Sequence, residues 1–178
     1  PAGKVALAQK PIQDYTYKYE TPSGREGGED IASAIEIPSL PFTDSGNTCD
    51  NLDNYDETCP YEGSISPDVV YSYTPTSNEV IDISLCNDAT DYDTKMFVYA
   101  GSYTPGSPFA CNDDACSTAS FPDPYVSTLT ALPVTAGVTY YIVIDGYGGA
   151  CGNYEISVEI AVGCYDCLSC SIPEGESD

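Results

Sequence analysis

Residues 138–160 read VTYYIVIDGYGGACGNYEISVEI, two runs rich in Tyr, Val and Ile around a glycine-rich break. In the second run Tyr154, Ile156, Val158 and Ile160 fall on one side of an extended chain, and Glu155, Ser157 and Glu159 on the other. One buried and one wet sheet face require that alternation. β-Branched and aromatic residues fit a pleated surface, so both runs are expected to be strands.

The same pattern recurs outward along the chain. DVVYSYT from Asp68, EVIDISL from Glu79 and TKMFVYA from Thr94 are short apolar segments bounded by Gly, Pro, Asn and Asp. SAIEIPSLPF adds an early strand ended by prolines. In GEDIASAIEI the Ile and Ala residues sit at mixed spacing, and β preference outweighs a helix there. Seven or eight strands joined by polar turns predict an all-β protein, a jelly-roll-like antiparallel β-sandwich. The division expected is an N-terminal arm or linker at 1–27, the sandwich at 28–161, and a Cys-rich acidic tail or the start of a linker at 162–178.

Charge and composition narrow the function. Five Lys and Arg against 28 Asp and Glu give a net charge of -23, which opposes any phosphate backbone or anionic lipid surface. Nucleic acid is excluded as a partner on that ground. No stretch is long enough to span a bilayer as a helix, so membrane insertion is not expected. Charged residues make up 19% and hydrophobic ones 42%, so the chain has the means to bury a core. Histidine is absent, which removes imidazole as base, proton shuttle and metal ligand. Glycosidase chemistry needs paired carboxylates in a cleft, whereas the acids here gather at turns and not at strand centres, and no enzyme activity is expected.

Nine cysteines with a single methionine imply an oxidised, secreted protein. Cys49 and Cys59 flank one acidic loop and Cys111 and Cys116 another, while Cys86 and Cys151 end strand segments. The pairs expected from loop position are Cys49 with Cys59, Cys111 with Cys116, and Cys86 with Cys151. Cys164, Cys167 and Cys170 are left to pair among themselves or with another chain. A zinc site needs four thiolates here, and CYDC with Cys170 supplies three close together.

Acidic residues cluster between strands: Asp50, Asp53, Asp56 and Glu57; then Asp88, Asp91 and Asp93; then Asn112, Asp113 and Asp114. Calcium takes about six to eight oxygen ligands, and loops at one end of a sandwich can supply them from separate strands. Asp91, Asp93, Asn112, Asp113 and Asp114 form the first candidate metal site, with Asp50, Asp53, Asp56 and Glu57 as a possible second. Neither has the spacing of an EF-hand loop. The alternative is that these are solubilising turns, which Asp and Asn favour. Tyr147, flanked by glycines in DGYGG, is the candidate ligand-binding aromatic; Tyr71, Tyr73, Tyr99, Tyr140 and Tyr141 are expected in sheet and core positions.

Taken in order, PDVVYSYTP, IDISLC, YDTKMFVYAG, ACNDDAC and VTAGVTYYIVIDGYGG with GNYEISV resemble the bacterial pre-peptidase C-terminal domain family over residues 28–161. The extra cysteines and the loop TCDNLDNYDETC depart from simpler members. The resemblance implies a jelly-roll sandwich carried on secreted proteins as a non-catalytic accessory, with relatives that bind calcium, polysaccharide or collagen. The function expected is extracellular binding or adhesion to polysaccharide or protein by a calcium-stabilised module at or beyond the cell surface. The alternative is a structural subunit of a self-assembling filament or surface layer. That homo-polymer would be joined through the arm before Gly28, which carries Lys4, Lys10, Lys18 and Arg25 and would be drawn to an acidic neighbour.

Overall fold

In a computed structural model, which describes residues 28–161, nine strands form two facing sheets. The strands are β1 (Ile35–Ile37), β2 (Phe42–Asn47), β3 (Val69–Tyr73), β4 (Glu79–Ser84), β5 (Thr94–Ala100), β6 (Ala110–Asn112), β7 (Thr128–Val134), β8 (Tyr140–Gly146) and β9 (Asn153–Ile160). The helical elements among the described residues are two single turns, Ile31–Ser33 and Thr48–Asp50. The first sheet runs β1-β3-β8-β5-β6 and the second β2-β9-β4-β7. Neighbours are antiparallel except β1 and β3, which are parallel. The expected arm and tail, with Cys164, Cys167 and Cys170, lie outside the described residues.

The core fills the space between the sheets. Tyr71, Met96, Val98, Ile142 and Ile144 of the first sheet meet Ile81, Ile83, Ile156 and Val158 of the second. The alternation in β9 holds as far as Val158, and Ile160 ends exposed past the last core layer. The first sheet is also covered on its outer face, where Val70, Phe97, Tyr99 and Val143 pack with Tyr55 from the long β2–β3 connection. Burial on both faces explains why YYIVI is continuously apolar while β9 alternates.

Three disulfides fasten the fold: Cys49–Cys151, Cys59–Cys111 and Cys86–Cys116. None of the three pairs expected from sequence forms, neither the two that would close the acidic loops nor Cys86 with Cys151. The register of β2 on β9 places Asn47 opposite Asn153, which brings Cys49 to Cys151. The covering connection carries Cys59 to the edge strand β6. Cys116, bridged to Val126, lies beside Cys86 at the end of β4 and fastens one sheet to the other. Cysteine spacing along the chain carries none of this, because the partners are set by strand register.

Gly146 ends β8 where the chain turns back on itself. A Cβ there would stand 2.0 Å from the Ala150 carbonyl oxygen, which is backbone and cannot move aside cheaply. Gly146→Ala is therefore expected to cost about 2 kcal/mol, the size of an overpacked core, and a chemical denaturation midpoint checks it.

Candidate metal site and buried charge row

Asp93 precedes β5, and Asp113 and Asp114 follow β6; the pairing of these strands, with Met96 opposite Asn112, brings the three together. One carboxylate oxygen from each lies within 4.8 Å of the others. Asp93 and Asp113 are buried and Asp114 is exposed, so the cluster opens to solvent on one side. Its backbone is firmly held. Ser127 Oγ lies 2.8 Å from the Thr94 carbonyl, 3.0 Å from that of Asp113 and 3.2 Å from that of Asn112. The Tyr147 N–H donates to the Asp93 carbonyl at 3.0 Å. Cys111 and Cys116 bracket the Asn112–Asp114 segment and are anchored outward, to Cys59 and Cys86. ACNDDAC is thus a loop stapled at both ends to other parts of the fold, not a loop closed on itself.

The other expected ligands are used elsewhere. Asp91 accepts the backbone and side-chain amides of Asn153 at 2.8 and 2.7 Å, fixing the start of β9. Asn112 Oδ1 accepts the Thr128 N–H at 2.9 Å. Asp88, in the same acidic cluster but outside the candidate site, accepts from Ala119 N–H.

The second cluster does not converge. Glu57 is buried on the outer face of the first sheet, where its carboxylate accepts the Tyr99 hydroxyl at 2.7 Å and the Gly106 N–H at 2.9 Å. Asp50 lines an open cleft of about 450 Å3 with Ser45, Asn47, Asn153 and Tyr154. Partial burial and the neighbouring Asp56 push Asp53 above the usual carboxylate range. Among the described residues, the one group of three carboxylates that meets is Asp93, Asp113 and Asp114. Tyr147 is half-buried, and a Cβ at Gly63 would lie 3.2 Å from its ring, so one part of the ring is covered.

A second constellation went unread in the sequence. Lys95, Asp145 and Asp68 are fully buried and stand in one row across three strands. Lys95 on β5 is directly opposite Asp145 on β8. Val69 on β3 is opposite Ile144, which sets Asp68 beside Asp145. The connection 51–67 lies over the row. Lys95 Nζ donates to the carbonyls of Glu57 at 3.1 Å and Tyr61 at 2.6 Å. The Ser64 hydroxyl donates to Asp145, and Asp68 Oδ2 accepts the N–H groups of Asn54 and Tyr55 at 2.8 and 2.9 Å. Asp68 Oδ1 is buried and has no hydrogen-bond partner.

Burial pushes the Asp68 carboxyl up to about 8, against the two N–H donors and with help from Asp53 and Glu29. Burial also holds Asp145 well above the carboxylate range; Ser64 and the Gly146 N–H oppose the shift, and Asp68 adds to it. The available signal was a charged residue inside or beside each apolar run: Lys in TKMFVYA, Asp in YYIVIDG, Asp before VVYSY.

No family model and no curated protein matches the chain. Among solved structures it is similar to the pre-peptidase C-terminal domain of a collagenase from Bacillus anthracis, at 20% identity and a TM-score of 0.46, covering 71% of this chain and 95% of that one.

Proposed function

We propose that the chain is a secreted, non-catalytic β-sandwich, stabilised by calcium, that acts in extracellular binding or adhesion to polysaccharide or protein. The observation that carries this reading is the meeting of Asp93, Asp113 and Asp114, two of them buried, on segments fixed by disulfides. Three adjacent carboxylates repel one another, in a chain whose net charge is already -23. A hard divalent cation with an all-oxygen shell offsets such a cluster, and nearby backbone carbonyls and water complete the coordination. Zinc is disfavoured by the chemistry: histidine is absent and the six described cysteines are bonded to one another. The disulfides support an oxidising compartment.

Calcium at about a hundredfold excess over its dissociation constant is expected to stabilise the fold by about 2.7 kcal/mol, raising the melting temperature that EDTA lowers. Asp113→Asn is expected to remove that response while leaving the EDTA melt nearly unchanged. A melt indifferent to calcium in the parent protein removes the site. Retention of the chain on immobilised polysaccharide or extracellular matrix protein, with and without calcium, then tests the binding role.

A further inference from the structure

The buried row has chemistry of its own, independent of calcium. We propose that the Lys95 amine and the Asp145 carboxyl condense into a side-chain amide linking β5 to β8, with Asp68 carrying the proton. Directly opposed residues on antiparallel strands have Cβ atoms about 4.5–5.5 Å apart, within the reach of a lysine joined to an aspartate. Both side chains lie on the outer face of the first sheet, since the adjacent Met96 and Ile144 belong to the inner core and Phe97 and Val143 to the outer cluster. The connection 51–67 shuts water out of the row, which is fully buried.

The hydrogen bonds suit the reaction. A neutral amine has two N–H bonds, and Lys95 Nζ faces two acceptors, the carbonyls of Glu57 and Tyr61. The lone pair of the neutral amine is the nucleophile toward the Asp145 Cγ. Attack forms the N–C bond and a tetrahedral centre. Asp68 Oδ1 gives its proton to the departing Asp145 oxygen and regains one from the nitrogen, the C–O bond breaks, and one water leaves. Nothing is oxidised or reduced and no co-reactant is needed. Oδ1 of Asp68, buried and without a hydrogen-bond partner, is the atom available for that proton. Burial disfavours the charged form of the Asp145 carboxyl, and a neutral carboxyl is a better acyl acceptor than a carboxylate. The product also removes two buried ionisable groups, whose charged forms are costly to desolvate.

The test uses the full chain, reduced, alkylated and denatured. Its intact mass is expected to fall short of the sequence mass by one water. Lys95 is the single tryptic site after Arg25, so the bonded chain is expected to keep residues 26–178 as one fragment, where an unbonded chain splits after Lys95. Lys95→Arg and Asp145→Ala are expected to have the full mass for their sequences. Asp68→Asn, close in shape to the parent, is expected to fold with an unchanged β-type circular dichroism spectrum, keep the full mass and be cut at Lys95. Full mass with cleavage at Lys95 in the parent chain overturns the bond. Loss of water in Asp68→Asn overturns the role given to Asp68.

Discussion

Replacing Cys49 and Cys151 together by serine is expected to lower the unfolding free energy by about 4.7 kcal/mol, the chain-entropy value for closing a loop of about a hundred residues. The bridge spans 102 residues, against 52 for Cys59–Cys111 and 30 for Cys86–Cys116. If the restriction of the unfolded chain dominates, the three double-serine variants rank in that order, with the smallest effect between about 3 and about 4.7 kcal/mol. Guanidinium unfolding of each variant under non-reducing conditions measures the ranking. Equal losses from all three would show that native contacts around the sulfurs, not loop closure, carry the stabilisation. Cys49 and Cys151 flank the β2–β9 pairing, where Thr48 N–H also donates to the Gly152 carbonyl at 3.0 Å, so local contacts add to the same variant.

The protein is expected to be more stable near pH 4 than near pH 8. Asp68 ionises near 3.8 when unfolded and at about 8 when folded. A raised carboxyl favours folding in full below the unfolded value, and that contribution is lost as pH climbs to the folded one. Each unit of separation is worth about 1.4 kcal/mol, and allowing for relaxation of the fold around the charge the loss across this window is about 3 kcal/mol. Mutual repulsion in a chain of net charge -23 acts in the same direction, so the parent curve alone does not isolate Asp68. Comparing Asp145→Ala with Asp145→Ala/Asp68→Asn does, since neither forms the amide or titrates Asp145: between pH 4 and pH 8, in EDTA to remove any cation effect, the stability of the double variant is expected to change by about 3 kcal/mol less. Identical slopes for the two proteins would remove Asp68 as the source.

The strands that were legible are those whose apolar content is local. TKMFVYA and NYEISVEI coincide with β5 and β9, and the segments at Asp68, Glu79 and Val138 with β3, β4 and β8. The strand β2 was hidden because FTDSGN is written in turn-forming residues; Asp44 in it faces inward to accept the Tyr71 hydroxyl at 3.0 Å. β7 carries Pro133, which an edge strand tolerates. Its register slips opposite Ile81 and Ile83, near Ala131 with a positive φ of 55°. The expected primary cation ligands divided by strand pairing: Asp93, Asp113 and Asp114 meet across β5 and β6, whereas Asp91 and Asn112 hold backbone. The disulfide partners and the buried row depend on which strands lie side by side, a long-range property that local periodicity does not encode.

One bridge encloses the other two. Cys59–Cys111 and Cys86–Cys116 both fall inside the loop closed by Cys49–Cys151. Tension applied at Gly28 and Ala161 reaches that outer knot before it reaches β3 to β8. Only residues 28–48 and 152–161 can be drawn out as free chain, a gain on the order of 100 Å at full stretch. Everything between, including the carboxylate cluster and the lysine–aspartate row, is bypassed by the load, so as a link in a tethered chain this domain yields a short, fixed length and then stops.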